Sequence, residues 1–233
     1  MPIIYTENGV IKSPKHPRYI YTKNEVDEIK KCSKSLVYFA EICISPEKLT
    51  SKQKEVLEAY ENKRFVILKC TEQFDKTLLS ILYALWYSIF NYYKDVAILS
   101  DTTDNAKTIA NRCKNIYENL PIHFKLGIRE YNTFSIDFDN NSKIMFRKSN
   151  QNALCGYTVN LLIADEYLEE KDDEKDGVFI RNFPSIFYGA EKGNMVLIST
   201  KPPYAKVFND IWNKKVYIVD DNFKHLEITE EGK

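Results

Sequence analysis

The chain has 233 residues, 44% hydrophobic and 28% charged, enough to bury the core of one α/β domain. Lys+Arg and Asp+Glu each total 33, and this zero net charge gives no overall pull toward nucleic acid or an anionic membrane. No run is long and apolar enough to span a bilayer, the N-terminus lacks a hydrophobic signal core, and the 5 cysteines form no CxxC pair. A soluble cytoplasmic protein with reduced thiols is therefore expected.

Residues 1–22 carry Pro2, Pro14 and Pro17 among turn formers and read as an extended arm. From Lys23 to about Cys43, Val26, Ile29, Cys32, Leu36, Phe39 and Cys43 recur at helical spacing and predict one helix. Thr50 with Gln53 three residues later is a capping-box pattern that starts the next helix. Phe65 to Leu68 reads as a buried strand. It is followed by the loop KCTEQFDKT and by a strongly apolar helix from Leu78 to Tyr93. Its aromatics Tyr83, Trp86, Tyr87 and Phe90 read as core.

Asp95 to Ser100 is a second buried strand, and Asp101 to Asn119 an amphipathic helix stopped by Leu120-Pro121. FSIDFDNNSKIMFR alternates apolar and polar residues around Asp139-Asn140-Asn141, the pattern of a β-hairpin. Val159 to Ala164 is a third buried strand, ended by Asp165-Glu166, and an acidic stretch through Asp176 follows as a solvated loop. Met195 to Ser199 is a fourth strand, ended by Thr200. A helix near Ala205 to Trp212 and a strand near Val216 to Val219 close the domain. Short buried strands alternating with helices predict an α/β fold, a mostly parallel central sheet flanked by helices with a small β-hairpin. The expected division is an arm over 1–22, a domain over 23–220 and a tail over 221–233.

In such sheets ligands sit at the carboxyl ends of the strands. Three strand ends here carry suitable groups: Lys76-Thr77, Asp165-Glu166 and Ser199-Thr200. Together they suit a nucleoside triphosphate. A lysine neutralises the β- and γ-phosphates and a threonine hydroxyl ligates Mg²⁺. The first carboxylate holds that Mg²⁺, and the adjacent glutamate polarises the attacking water. The candidate set is therefore Glu166 as the catalytic residue, Thr77 and Asp165 for the metal, and Lys76, Thr77 and Thr200 for the nucleotide. His16, His123 and His225 are too dispersed to form a metal site.

Beyond these three strand ends, the chain from about Lys23 to Trp212 resembles the ATPase domain of tailed-phage terminase large subunits. The resemblance rests on YFAE (Tyr38 to Glu41), Gln53, KRFVILK, QFDKT (Gln73 to Thr77), the Leu-Pro end of the second α/β helix, NNSKI, NALCG leading into VNLLIADE, STKP and VFNDIW. It implies a P-loop NTPase of the additional-strand, catalytic-glutamate type, with ATP and Mg²⁺ as cofactors. It adds Gln53 and Gln73 to the nucleotide-binding residues. It implies terminase subunits, the portal and double-stranded DNA as partners, in the host cytoplasm and transiently at the capsid portal. It also implies a separate C-terminal nuclease domain. The chain ends where that domain would begin, so it is either cut from a longer protein or encoded without it.

Three positions depart from the family pattern. The loop usually reads Arg-Gln-x-Gly-Lys-Thr, but Glu72 stands at the arginine and Asp75 at the glycine. Before the third strand Arg-Gly is usual, and here it is Cys155-Gly156. Glycine lets such a loop adopt an unusual backbone and approach the oxygens. A carboxylate about 5 Å from one phosphate charge is repelled by roughly 3 kcal/mol at an effective dielectric near 20.

The reading preferred from sequence is a terminase-like ATPase domain with impaired ATP binding or hydrolysis, acting in packaging or as an accessory component. One alternative is a working motor in which another cation, such as Lys69 or Arg147, replaces the lost arginine. Another is a regulatory or decoy module on terminase or portal that needs no cofactor.

Overall fold

A computed structural model describes residues 19–70, 74–150, 152–165 and 193–199, with the backbone of 223–227. The predicted helix and strand near Ala205 and Val216 lie outside the described residues, as do most of the arm and the acidic loop.

The first predicted helix is two. α1 spans Lys23–Lys34 and α2 spans Leu36–Ile44. The break is at Ser35, which is extended (φ −146°, ψ 112°) and accepts a hydrogen bond from the Tyr38 N–H through its hydroxyl. Glu61, from the next helix, accepts from the Leu36 N–H at 2.9 Å. These two acceptors satisfy donors that a helix start leaves open, so the interruption costs little. α3, Ser51–Asn62, begins with the predicted Thr50–Gln53 capping box.

The strands are β1 (Phe65–Lys69), β2 (Asp95–Ser100), β3 (Ile128–Asn132), β4 (Ser135–Phe138), β5 (Lys143–Lys148), β6 (Leu161–Ala164), β7 (Asn194–Ser199) and β8 (Phe223–Glu227). α4, Lys76–Ile89, joins β1 to β2, and α5, Thr103–Asn119, follows β2. They form one eight-stranded sheet in the order β3-β4-β5-β2-β6-β7-β1-β8. Pairing is parallel from β5 to β8 and antiparallel at β3-β4-β5. The mostly parallel sheet with a hairpin, β4-β5, is as the sequence predicts.

Two edge strands were not predicted. β3 is largely exposed, and its residues Ile-Arg-Glu-Tyr-Asn carry little apolar periodicity. β8 lies within residues assigned to a C-terminal tail, yet its backbone pairs in parallel with β1, Phe65 opposite Phe223 and Lys69 opposite Glu227. An edge strand needs only a backbone partner on one side, so its sequence need not announce it.

The central strands β1, β2, β6 and β7 are buried along most of their length, which explains their continuous apolar runs. α4 is core: Tyr83 lies 5.3 Å from Tyr60 between ring centroids, and Trp86 donates its indole N–H to the Cys32 carbonyl at 2.7 Å. The hairpin turn is tied to this helix by Asn140. Its amide donates to the Ser88 and Asn91 carbonyls, both at 2.7 Å, and its oxygen accepts from the Ser142 N–H. Asn140 is 5% exposed. Replacing it with alanine leaves those buried groups without their partner. We expect Asn140→Ala to lower the unfolding free energy by about 1–3 kcal/mol, read from urea denaturation with an unchanged m-value.

Candidate nucleotide-binding site

The loop after β1 enters α4 through Asp75. This residue caps the helix in the left-handed conformation, φ 48° and ψ 45°. Glycine adopts that conformation without penalty, and aspartate is among the few other residues that tolerate it. The chain thus keeps a glycine-type backbone at the position where the sequence lacks glycine. The Asp75 carboxylate accepts from the Leu78 N–H at 3.3 Å, an N-cap bond.

The same carboxylate is gripped by Arg112 of α5. Nη1 donates to Oδ1 and Nη2 to Oδ2, both at 2.7 Å. Burial pushes the Asp75 carboxyl up, but the bonds and charge of Arg112 and the Leu78 N–H outweigh it, and the group sits below the ordinary carboxylate range. Arg112 is pushed up, chiefly by its bonds to Asp75. Burial opposes this, and the negative charges of Asp75, Asp165 and Glu47 add to it. Sequence reading missed Arg112, which lies 37 residues from Asp75 on a helix with no local motif. The only signal available was that a half-buried Asp75 would need a cation.

Lys76, the first residue of α4, is buried at 5% exposure. The next residue, Thr77, donates its hydroxyl to Asp165 Oδ2 at 2.7 Å, 88 residues away. Asp165 follows β6 directly, is 2% exposed, and is anchored by its own N–H to the Leu99 carbonyl of β2. β7 lies between β1 and β6, and its last residue, Ser199, accepts from the Cys70 N–H at the start of the loop. The three strand ends thus lie along one edge of the sheet, with Thr77 and Asp165 in contact. A hydroxyl and a carboxylate in contact are hard oxygen donors. They fit Mg²⁺, which takes one or two carboxylates and completes its shell with phosphates and water. Among the described residues no group of three or more His, Cys, Asp and Glu forms a metal cage.

The other candidates divide. Gln53 reaches the loop: its amide nitrogen lies 3.5 Å from the Phe74 carbonyl, while its oxygen serves the capping box. Cys155 is exposed in the turn before β6, where its thiol faces Asn152. Arg147, one proposed replacement cation, stacks over Tyr157 at 4.6 Å and donates to its hydroxyl. Lys69, the other, ends β1. Glu72, Gln73, Glu166 and Thr200 lie outside the described residues.

The mostly parallel sheet carries one further strand, β7, between the loop-bearing β1 and the carboxylate-bearing β6. No known family model matches the sequence. Solved structures do match. The HK97 bacteriophage large terminase shares 14% identity at a TM-score of 0.66, over 86% of this chain and 45% of that one. The ATPase domain of the Thermus phage P74-26 large terminase shares 14% at 0.52, over 78% and 81%. The large terminase of a thermophilic bacteriophage, solved in complex with ATP-gamma-S, shares 16% at 0.54, over 77% and 44%. The fold is therefore that of the ATPase domain of phage large terminases, and the chain spans about half the length of the HK97 protein.

The Asp75 pKa makes a pH prediction. A carboxyl held below its unfolded value contributes stability fully above about pH 4 and loses it as the pH falls through the lower folded value. Asp75→Asn should therefore show a smaller loss of stability than the wild-type chain between about pH 5 and pH 2. Urea unfolding across that range measures it, at low salt because the pair is partly exposed.

Proposed function

We propose that this chain is a viral homologue of the terminase large-subunit ATPase domain, serving DNA packaging, with a degenerate phosphate loop that binds or hydrolyses ATP weakly. The observation that carries the reading is the assembled Thr77–Asp165 contact beside a carboxylate, Asp75, at the glycine position of the loop. The first supports a site laid out for Mg-ATP. The second supports impairment, since Asp75 adds a side chain and occupies an arginine where phosphate oxygens would come. In this reading Thr77 and Asp165 hold Mg²⁺ and Lys76 neutralises phosphate. Glu166 activates water, while Gln53, Gln73 and Thr200 contact the nucleotide. Bound Mg²⁺ would supply charge neutralisation of the phosphates. Glu72 and Cys155 remove the cations that would stabilise the leaving charge.

The partners are terminase subunits and the portal, with double-stranded DNA as the track. The place of action is the host cytoplasm and the capsid portal. Among the described residues no helix is long and apolar enough to cross a membrane.

A second reading, a working packaging ATPase, is favoured by one observation. The left-handed backbone of the loop is kept at Asp75, and its charge is matched by Arg112.

Mg-ATP affinity and turnover of the purified chain separate the two. The impaired site should turn over well below about one per second, and ordinary enzymic rates would overturn it. The combined substitution Glu72→Arg, Asp75→Gly, Cys155→Arg should raise ATP affinity by at least about tenfold. No gain would mean that these three positions are not what weakens the site.

A further inference from the structure

The Asp75–Arg112 pair has a geometry that a phosphate could share. A guanidinium offers parallel N–H donors, and carboxylate and phosphate each present two oxygens that fit that fork. In this chain Asp75 fills it with two 2.7 Å bonds. The fork lies at the residue directly before Lys76 and Thr77, so it borders the place where the phosphates of a nucleotide would lie. Arg112 comes from α5, the helix that follows β2, and not from the loop. It is thus available to the site even though the loop has lost its own arginine. α5 is a 17-residue helix, and Arg112 sits in its interior, so the guanidinium projects from a rigid element.

We propose that Arg112 is a phosphate-binding cation of this site and that Asp75 is its built-in competitor. This rests on the nucleotide-site reading above. An arriving polyphosphate meets a fork already neutralised. It must either displace Asp75, leaving a carboxylate beside the phosphates, or bind without the arginine. Weak binding then follows from competition inside the site and not from loss of its cations alone. The pair is partly exposed, with each side chain at 40%, so it is screened and can open; a deeply buried pair could not exchange this way. Removing Asp75 frees the fork at small cost, because glycine suits the left-handed backbone and caps a helix nearly as well.

The test compares wild type, Asp75→Gly, Arg112→Gln and the double substitution. Binding of inorganic triphosphate and of ATP, each with Mg²⁺, is measured by calorimetry at two salt concentrations. Asp75→Gly should tighten both ligands by about tenfold or more, and adding Arg112→Gln should cancel most of that gain. Arg112→Gln alone should bind more weakly than wild type, because it leaves Asp75 uncompensated.

Arg112→Lys on the Asp75→Gly background keeps the charge without the fork and should keep part of the gain. A purely structural role for Arg112 predicts no such rescue. It also gives a foldable variant should the glutamine change disrupt packing. The proposal is overturned if Asp75→Gly brings no gain, if the gain survives Arg112→Gln, or if no variant binds triphosphate. These outcomes concern the dependence on Arg112. Failure of the impaired-ATPase reading would appear separately, as ordinary turnover by the unmodified chain.

Discussion

The hydrogen bond from Thr77 to Asp165 depends on one constraint, the parallel strand order that places β7 between β1 and β6. Parallel strands all end on the same side, so their carboxyl-terminal loops share one edge of the sheet. β1 delivers Lys76 and Thr77 at the start of α4. β6 delivers Asp165 at its end, held through its own N–H to β2. The spacer strand β7 sits between the two while leaving Thr77 and Asp165 in hydrogen-bond contact. Cys70, bonded to Ser199, fixes the start of the loop to that spacer. The helices cover the faces of the central strands, and β8 pairs with the edge of β1 that β7 leaves open.

Within that frame the most informative residue is Asp75. Its backbone conformation is the one glycine would adopt, so the path of the loop is kept although the residue type is not. Its side chain is accommodated by three donors: the Leu78 N–H and the two arms of Arg112. A carboxylate with an N-cap bond and a bidentate arginine is stable where it lies. The substitution is therefore compensated locally in the structure of the protein, whatever it does to phosphate. In the nucleotide-site reading proposed above, folding and ligand binding make different demands at this position. Folding needs the left-handed turn and a satisfied carboxylate, while phosphate needs a cation that is not already engaged.

The hairpin and the N-terminal helices illustrate the same division between local pattern and distant partner. Alternation around Asp139-Asn140-Asn141 was enough to read β4 and β5. The docking of their turn onto α4 through Asn140 was not, because it depends on carbonyls some fifty residues earlier. Helical spacing from Lys23 to Cys43 was real, but Glu61 of α3 and the Ser35 hydroxyl stabilise a second helix start within it. A periodic pattern records which faces are buried and does not record a cap supplied from elsewhere.

Sequence by itself determined the α/β class, the four buried strands, the capping box at Thr50 and the loop that precedes Lys76-Thr77. Each of these is encoded within a few consecutive residues, through the period of apolar burial or a local side-chain bond. It also located Asp165 as a strand-end carboxylate, from a buried run broken by acidic residues. Tertiary structure alone decided the strand order, the edge strands β3 and β8, the split between α1 and α2, and the direct hydrogen bond from Thr77 to Asp165. It alone joined Asp75 to Arg112. These features arise from pairing between backbones or charges far apart in the chain. Such pairing has no period and no local composition, and it exists only once the sheet has brought the partners together.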